Sequence, residues 1–446
     1  MAGFLSAGNG KKTWYYLKKN GIKSTCLAVW ERLEARKQQP YVYAAPACGE
    51  LEQQRKQAEQ MVKQELPVRF SILVPAYETK KEYLTALLDS VHVQSWPLWE
   101  LVIADAGNSD QVRQTLQDWA NEKNVPVLTE KQQEFCAGSV RYVKLQENGG
   151  ISENTNAGLA YAFGEYTGLL DHDDLLTADA LYEMAAAIER EKENGQNADV
   201  FYSDEDKCDG AGKVFYEPHK KTDFDPEMLL TNNYICHFTV LKTELFQKLK
   251  LRREYDGAQD FDLVLRAYLN GANFVHVPKV LYHWRCHTDS TAQNPQSKRY
   301  AYEAGRRALE DFCARKGWQV QVVDTAHLGF YRIEYADLWR DRPEIGAVAY
   351  PVCKKGRMCS GIYEADGQFR FQGLRAGFSG YLHRAVLQQS APLADVRQMK
   401  VREADEQERI RAVANCRVMN PRTASAQFAE QLAQKGQKIL WDPKGK

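Results

Sequence analysis

The chain has 446 residues, of which 44% are hydrophobic, so it is long enough for two or three domains with buried cores. Lysine plus arginine and aspartate plus glutamate are equal, at 59 each, so the charge balance excludes an electrostatic footprint for nucleic acid. The ten cysteines form no Cys-x-x-Cys pair and no zinc-like spacing, which is typical of reduced thiols in the cytoplasm.

No secretory signal begins the sequence, and no window approaches the ~18 apolar residues that a membrane span needs. Residues 12–38 mix aromatic and aliphatic side chains with lysine and arginine, which predicts one or two amphipathic helices broken near Gly21. This segment either docks on the protein's own body or lies on an anionic membrane surface. We therefore predict a cytoplasmic protein and leave open its attachment to the inner face of the cell membrane.

A linker with two prolines at 39–48 and a solvated helix at 50–66 lead into a regular alternation of strands and helices. The alternation favours a mostly parallel sheet with helices on both faces. The predicted strands cover 70–75, 100–105, 140–145, 166–170 and 199–203, and the predicted helices 80–94, 110–121, 152–163 and 177–192.

Polar or acidic residues follow every strand of this series. Parallel strands bring their carboxyl ends to one edge of a sheet, where open α/β folds bind ligands. The closely spaced carboxylates of Asp171, Asp173 and Asp174 need a positive partner, and oxygen ligands suit Mg²⁺ or Mn²⁺. The five strand ends carry Tyr77 with Glu78, Asp105, Asn148–Gly150, Asp171–Asp174 and Asp204–Asp206.

The pattern is weaker after residue 206. It predicts strands at 234–241, 274–278 and 280–285, and helices at 261–269 and 298–316. From about 318 short strands, a glycine-rich stretch at 356–380 and a charged, helical end follow. Residues 345–350 and this stretch belong to the same C-terminal region.

In order and spacing, seven motifs over about 68–295 resemble the family 2 glycosyltransferases, an inverting group with the GT-A fold. The likeness is greatest to bacterial members that build rhamnose-containing cell-wall polysaccharide or O-antigen. The motifs are 74–78 (Val-Pro-Ala-Tyr-Glu), 103–105, 148–158, 170–174 (Leu-Asp-His-Asp-Asp), 202–207, 257–260 and 282–285 (Tyr-His-Trp-Arg).

The resemblance implies an α/β fold of the GT-A type, Rossmann-like, with a mostly parallel sheet between helices. We expect a helical extension and linker at 1–66, the transferase domain at 67–317, and a smaller α+β region at 318–446. In this last region, residues 345–350 and the glycine-rich stretch after them resemble a fragment of a second, degenerate transferase domain. The partners implied are a nucleotide-sugar donor and a glycan or lipid-linked glycan acceptor. We predict no nucleic-acid partner and leave homodimer formation open.

The resemblance also assigns roles to individual residues. Asp171 and Asp173 match the metal-binding Asp-x-Asp motif, whose Mg²⁺ or Mn²⁺ bridges the donor's diphosphate. His283, or with less support His287, adds a metal ligand, whereas His172 is expected to be structural. The nucleotide-sugar contacts implied are Pro75, Tyr77, Glu78, Asp105, Asn148, Gly150, Asn156, Asp171 and Arg285.

Asp260 occupies the position of the general base, which takes the proton of the acceptor hydroxyl. Its alternative role is the N-cap of the helix at 261–269. Family members often have Glu-Asp where this chain has Gln259-Asp260, a mild departure. Four further residues are expected either to contact the acceptor or to hold the donor-binding and metal-binding residues in place. They are Asp204, Asp206, Gln259 and Trp284.

The function predicted from the sequence is an inverting, metal-assisted transfer of a sugar from a nucleotide-sugar to a growing cell-surface glycan. The alternative is a non-catalytic protein that binds a nucleotide-sugar or glycan on the same scaffold, which retention of Asp171, Asp173 and Asp260 disfavours. A nucleotidyltransferase would need a glycine-rich phosphate loop near the first strand, and residues 74–77 offer none.

Overall fold

The structure is a computed structural model that describes residues 7–35, 40–63, 66–287 and 299–444. Residues 36–39, 64–65 and 298, which belong to predicted helices or the linker, lie outside the described residues. The chain divides into two compact units. The sheet unit comprises Tyr41–Phe224 and Tyr234–Ala308, and the terminal unit comprises Met1–Pro40, Asp225–Asn233 and Leu309–Lys446. The limits 1–66, 67–317 and 318–446 remain a prediction for the domains of the sequence.

The helices and strands follow in chain order. The α-helices are α1 (Ala7–Ala35), α2 (Cys48–Met61), α3 (Lys81–His92), α4 (Gln111–Lys123), α5 (Ile151–Leu159), α6 (Ala180–Glu193), α7 (Pro226–Leu229), α8 (Thr243–Leu249), α9 (Gln259–Leu269), α10 (Arg299–Arg315), α11 (Leu338–Asp341), α12 (Glu406–Asn415) and α13 (Pro421–Gln434). The strands of the sheet unit are β1 (Phe70–Ala76), β2 (Trp99–Asp105), β3 (Val127–Leu128), β4 (Ser139–Lys144), β5 (Tyr166–Leu169), β6 (Leu175–Leu176), β7 (Val200–Asp209), β8 (Phe215–His219), β9 (Thr239–Lys242) and β10 (Phe274–Cys286). Those of the terminal unit are β11 (Val320–Asp324), β12 (Tyr331–Tyr335), β13 (Ile345–Ala349), β14 (Val352–Lys354), β15 (Arg357–Ser360), β16 (Gln389–Ser390), β17 (Met399–Val401) and β18 (Lys438–Trp441).

The sheet unit is built on a ten-stranded sheet in the order β3-β4-β2-β1-β5-β9-β7-β10-β6, with β8 paired to β7. The run from β3 to β5 is parallel, as is the pair of β7 and β10, whereas β9 is antiparallel to both its neighbours. The predicted α/β fold with a mostly parallel sheet is therefore confirmed.

Alternate residues of β1 enter two different hydrophobic cores. Ile72 and Val74 point to a core shared with α3, α4 and α6, while Leu73 points to a core shared with α5, α8 and α9. This is the period-2 alternation of a strand covered on both faces. Helices therefore cover both faces of the sheet, as the sequence predicted.

Three strand predictions need correction. The strand predicted at 199–203 continues as β7 to Asp209, because Asp204–Asp206 stay paired with β10 instead of leaving the sheet. The strands predicted at 274–278 and 280–285 are the single strand β10, which absorbs the irregularity between Val277 and Tyr282 as two shifts of register. The strand predicted at 234–241 is shorter, because β9 begins only at Thr239.

The terminal unit contains the four-stranded sheet β16-β18-β13-β17, with β13 and β18 parallel. Its core brings α12 and α13 against this sheet around the buried Phe428 and Trp441. This is the α+β region expected at the C-terminal end.

Helix α1 is interrupted at Gly21, which has φ 76° and ψ 173°, values that suit only glycine. The break near Gly21 is therefore confirmed. Among the described residues, no helix combines the length and the apolar character needed to cross a membrane.

Candidate active site

The loops after β1, β2 and β5 lie at the same edge of the sheet. Ala76, the last residue of β1, is opposite Asp105, the last residue of β2. On its other side β1 pairs in parallel with β5, and the Leu170 N–H donates to the Leu73 carbonyl at 3.1 Å. The sequence-predicted acidic residues of these three loops are therefore brought to one edge, where α/β folds bind ligands.

Asp174 anchors the acidic turn that follows β5. Its N–H donates to the Asp171 carbonyl at 3.1 Å, and its side chain is fully buried. Its carboxylate accepts the Tyr282 hydroxyl at 2.5 Å and the Arg285 N–H at 2.7 Å. Desolvation raises the pKa of Asp174 well above its usual value, and the charges of Asp173 and Asp171 raise it further. Because protein donors occupy both oxygens, Asp174 fixes the shape of the turn.

Asp171 is partly open to solvent, with its side chain 49% exposed. The surrounding protein is nevertheless dense enough that desolvation raises the pKa of Asp171. His237 and His172 lower this pKa, while the negative charges of Asp173 and Asp260 raise it. This crowding of negative charge would be relieved by a cation.

The donor atoms beside Asp171 fit a divalent cation. Ligand atoms of Asp171, Asp174 and His237 lie within 4.8 Å of one another. His237 Nε2 is 4.0 Å from Asp171 Oδ2, and its ring stacks on Tyr282 with centroids 4.6 Å apart. Carboxylate oxygen with imidazole nitrogen is a donor set that Mn²⁺ accepts.

Sequence reasoning missed His237. The residue lies in an apolar run between Ile235 and Phe238 and has no characteristic spacing to the aspartates. A lone histidine in such a run was the only available signal. Pairing of β9 with β5 and β7 is what carries this run to the acidic turn.

The histidine that reaches Asp173 is His287. Its Nε2 lies 2.9 Å from Asp173 Oδ2, and its ring is 4.9 Å from that of Tyr83. His172 instead meets the Thr79 hydroxyl at 3.0 Å through Nδ1, which fits the structural role expected for it.

His283 is placed with Asp206 and not at the acidic turn. Its Nδ1 is 2.5 Å from Asp206 Oδ1, and its buried ring packs against the rings of Tyr43 and Phe215 at 4.6 and 4.3 Å. The other oxygen of Asp206 accepts the Tyr41 hydroxyl at 2.8 Å. These contacts make His283 and Asp206 a buried pair between β10 and β7.

Asp204 is likewise engaged inside the sheet unit. It is buried and accepts the Lys221 N–H at 2.8 Å, while His276 Nε2 lies 2.9 Å from the same oxygen. The structure therefore does not bring Asp204 and Asp206 out at a strand end, where the sequence placed them.

Glu205, between these two residues, supports His237. Its Oε2 accepts the His237 N–H at 3.1 Å, and its Oε1 is 3.0 Å from His219 Nδ1. Desolvation opposes ionisation, but the Lys221 ammonium 3.8 Å away and His219 outweigh it, and the pKa of Glu205 is lowered to about 2. An ionised Glu205 thus holds the backbone of the histidine that faces Asp171.

Arg285 is buried, with its guanidinium directed at backbone carbonyls. Nε donates to the Asp173 carbonyl at 2.5 Å and Nη1 to the Gly210 carbonyl at 3.0 Å, and the group lies 4.9 Å from the Tyr83 ring. The predicted nucleotide-sugar contact of Arg285 would therefore compete with its hydrogen bond to the Asp173 carbonyl, which holds the acidic turn.

Asp260 lies in the first turn of α9, whose N-cap is Ala258, so the N-cap alternative for Asp260 is wrong. At this position its carboxylate lies at the positive end of the helix dipole. The Cys236 thiol lies 3.8 Å from its Oδ2, and Asp260 is near enough to raise the pKa of Asp171. The chain therefore converges on one site from β5, the segment before β9, and α9.

Glu78 joins the loop after β1 to the loop after β2, and Asp105 at the end of β2 bonds to the neighbouring strand β4. Glu78, at φ 47°, accepts the Asn108 N–H at 2.6 Å, which with the Ser109 hydroxyl lowers its pKa. Asp105 is buried and accepts the Tyr142 hydroxyl at 2.7 Å and the Lys144 ammonium at 3.0 Å.

Tyr77 and Pro75 differ sharply in exposure at this end of β1. Tyr77 is 44% exposed, so its side chain is accessible to a ligand. Pro75 is buried within β1, opposite Ala104.

The loop between β4 and α5 lies at the same edge. The Asn148 amide oxygen accepts the Gly150 N–H at 3.1 Å, and Gly150 has φ 94°. The Asn156 side chain, by contrast, accepts the Leu251 N–H at 2.8 Å and donates to the Leu251 carbonyl at 2.9 Å. Asn148 is exposed and remains open to a ligand, whereas Asn156 joins α5 to the segment before α9.

Gln259 and Trp284, predicted to be near the acceptor, flank the site. The Gln259 side chain accepts the Gly257 N–H at 2.8 Å at the start of α9. The Trp284 ring lies edge-on to His237, with centroids 6.2 Å apart, and 5.7 Å from the Lys207 ammonium.

The fold and these residues define an α/β enzyme domain with an acidic site at the strand ends that could hold a cation. Residues 71–250 match the family model described as Glycosyl transferase family 2. The chain therefore carries a family 2 glycosyltransferase domain, and together with the ten-stranded sheet this confirms the expected GT-A fold.

Three relatives put this match in context. An uncharacterized protein, y4gI, of Sinorhizobium fredii is 35% identical over 60% of this chain and 28% of its own length. The O-antigen biosynthesis protein RfbC of Myxococcus xanthus is 31% identical over 59% of this chain and 19% of its own. The poly(ribitol-phosphate) beta-N-acetylglucosaminyltransferase TarS of Staphylococcus aureus is 29% identical over 47% of this chain and 34% of its own.

The chain thus spans about a third or less of the length of these relatives. The crystal structure of TarS residues 1–349 superimposes on 56% of this chain and 65% of its own, with a TM-score of 0.40 and 22% identity. At that score the superposition adds nothing to the match of sequence.

Proposed function

We propose that the sheet unit transfers a sugar from a nucleotide-sugar donor to a glycan acceptor, with inversion at the anomeric carbon. The observation that carries this proposal is the convergence of Asp260 with the acidic turn at the strand ends of a family 2 glycosyltransferase domain. Inversion needs one carboxylate on the acceptor side and charge neutralisation on the leaving-group side. Asp260 and the turn are two such separate groups.

Asp260 acts as the general base. It takes the proton of the acceptor hydroxyl, whose oxygen forms a bond to the anomeric carbon while the bond from that carbon to the diphosphate oxygen breaks. The nucleoside diphosphate leaves with the electrons of the broken bond. The first turn of α9 places this carboxylate at the positive end of the helix dipole.

A divalent cation, Mg²⁺ or Mn²⁺, would be held by Asp171 and Asp173, with His237 and His287 beside them. When bound, it neutralises charge on the diphosphate. His283 is the weaker candidate for this role, because its ring is buried with Asp206. Glu205 and Asp174 fix the backbones that carry the proposed ligands.

The donor base and ribose are expected at the loops after β1 and β2, where Tyr77 offers an exposed ring. The O-antigen biosynthesis of RfbC and the poly(ribitol-phosphate) glycosylation of TarS support a cell-surface polysaccharide as the acceptor class. Ten free cysteines agree with a reducing, cytoplasmic location, where nucleotide-sugars would be used.

The test begins with thermal shifts of the whole chain with nucleoside diphosphates and their sugars, with and without Mn²⁺. A ligand that binds the folded state raises the Tm by mass action. We expect one nucleotide class to stabilise the chain, more strongly with Mn²⁺. If no nucleotide does so, the proposed function is wrong.

The base assignment is then tested with Asp260→Asn. Loss of general-base catalysis should lower transfer by about 10²–10⁴-fold, with donor binding unchanged. Glu254→Gln, a neutralised and exposed carboxylate in the preceding turn, is the matched control and should retain activity. Wild-type turnover by Asp260→Asn would assign the base elsewhere.

A further inference from the structure

Helix α1 of the terminal unit has one face docked on its own body. Glu31 accepts the Ser379 and Gly380 N–H groups at 3.0 and 2.6 Å. The Asn20 side chain donates to the Ala326 carbonyl at 3.1 Å. The Trp30 ring packs edge-on against Phe378 at 5.7 Å. These contacts fix which side of the helix faces away from the protein.

Away from these contacts, α1 presents large apolar side chains to solvent on both sides of its break at Gly21. Trp14 is 59% exposed, Ile22 75% and Leu33 45%. Ile22, Cys26 and Leu33 follow each other at i, i+4 and i+11, a spacing that places them on one stripe of the helix. Exposed single apolar residues are ordinary, but a stripe on a helix calls for a partner.

Most exposed charges on α1 are positive among its described side chains, which are those of residues 13, 14 and 16–34. Lys18, Lys19, Lys23 and Arg32 are exposed. Both acids of this stretch have partners on the protein: Glu31 as above, and Glu34, whose side chain is 41% exposed, at 3.4 Å from Arg375. Lys18 also lies 5.5 Å from the Trp14 ring.

We propose that this face of α1 binds the surface of an anionic phospholipid membrane. An interfacial helix combines apolar side chains, often with Trp, and a surplus of Lys and Arg that pairs with anionic headgroups. Charge complementarity selects anionic lipid over a second copy of the chain, because two such faces would bring lysines against lysines. The helix lies in the interface and holds the protein at the membrane surface.

The experiment is co-sedimentation of the whole chain with vesicles of phosphatidylcholine mixed with phosphatidylglycerol, and with vesicles of phosphatidylcholine alone. The chain should sediment with the mixed vesicles, and added salt should weaken the binding because screening shortens the reach of the lysines. Absence of binding to the mixed vesicles, or equal binding to neutral ones, overturns the proposal.

Two variants test separately the contributions of the lysines and of the apolar stripe to membrane binding. Lys18→Gln/Lys19→Gln/Lys23→Gln should weaken binding by about tenfold or more. Ile22→Ser/Leu33→Ser should weaken it at any salt concentration. The matched control removes three exposed lysines elsewhere, Lys56→Gln/Lys63→Gln/Lys248→Gln, and should bind as the wild type does.

Loss of binding in that control would show that lysines outside α1 also attract the membrane, and it would overturn the assignment to α1. Sedimentation velocity without lipid provides the remaining arm. A dimer that Ile22→Ser/Leu33→Ser abolishes would assign the stripe to a second copy. If a variant has a lowered Tm, the salt dependence and lipid preference of the wild type still decide the outcome.

Discussion

His287 Nε2 lies 2.9 Å from Asp173 Oδ2, although 114 positions separate the two residues in the chain. The resemblance to family 2 glycosyltransferases put His283 first as the metal-side histidine and His287 second. In the structure the strand β10 buries His283 with Asp206 and ends one residue before His287. The histidine that can orient Asp173 is therefore the one just beyond the strand.

We expect His287→Ala to raise the Mn²⁺ concentration needed for half-maximal nucleotide binding. A partner that orients a metal ligand is worth about 10–100-fold in metal affinity. Calorimetric titration of the nucleoside diphosphate at several Mn²⁺ concentrations measures the effect. His92→Ala, which removes an exposed histidine from α3, should leave the Mn²⁺ dependence unchanged.

His283→Ala serves as the contrasting variant. It leaves the buried Asp206 with one fewer partner, so the expected effect is a loss of about 1–3 kcal/mol of folding stability. If His283→Ala changes the Mn²⁺ requirement and His287→Ala does not, His283 is the metal-side histidine, as the sequence predicts.

The sheet was predictable because its signals are local. Runs such as 70–76 and 99–105 are apolar, bounded by turn residues and separated by helices with one apolar face. The acidic residues after these strands then had to share one edge. No pairing between distant segments was needed to reach that conclusion.

The remainder of the site depends on such distant pairings. Asp204 and Asp206 read as a solvated acidic turn, because their partners His276 and His283 lie on β10, about seventy residues away. His237 gave no spacing signal for the same reason. Burial of an acidic strand becomes favourable only when each carboxylate receives a donor, and the sequence does not say which donors those are.

Gly150→Ala tests the entry to α5. Gly150 has φ 94°, and a Cβ there would stand 2.7 Å from Oδ2 of Asp256, the residue that receives the Ser152 N–H at 3.3 Å. We expect a loss of about 1–3 kcal/mol in the free energy of unfolding, since backbone strain and the displaced carboxylate both contribute. Urea unfolding measures it.

Gly138→Ala is the matched control for backbone strain alone. Gly138 has φ 67° but nothing within 4 Å of the added Cβ. Gly150→Ala should therefore be the more costly of the two changes. Equal losses would mean that contact with Asp256 contributes nothing.

Arg342→Met tests the buried ion pair of the terminal unit. The Arg342 guanidinium donates to both oxygens of Glu227, at 3.0 and 2.5 Å, and both side chains are at most 3% exposed. Removing one partner leaves a buried charge, which typically costs about 3–5 kcal/mol. Urea unfolding followed by tryptophan fluorescence is suitable, because Trp318 lies 4.6 Å from this guanidinium.

Arg342→Met/Glu227→Leu should recover most of that loss, because no buried charge remains. Arg370→Met breaks a more exposed pair with Glu364 and should cost about 1 kcal/mol or less. A single variant Arg342→Met as stable as the wild type would show that Lys438, 3.7 Å from Glu227, is sufficient compensation.

Two stacked histidines of the terminal unit predict a loss of stability in mild acid. The His383 and His327 rings are 3.5 Å apart. Desolvation, and then His327 and Arg32, lower the pKa of His383 to about 3, and burial also lowers the pKa of His327. The folded pKa of His383 is therefore below the unfolded value of about 6.5, so the unfolded state binds more protons between these limits.

The contribution of His383 is complete above about pH 6.5 and is lost as the pH falls toward 3. From pH 7 to pH 5 the linkage amounts to about 2 kcal/mol. Urea unfolding at pH 7, 6 and 5 should show this decline in the wild type and a smaller one in His383→Asn. Asparagine suits the φ of 62° at this position, so the variant removes the titration without adding backbone strain. His92→Asn, at an exposed position, should keep the wild-type pH dependence, and an equal decline in His383→Asn would place the titrating group elsewhere.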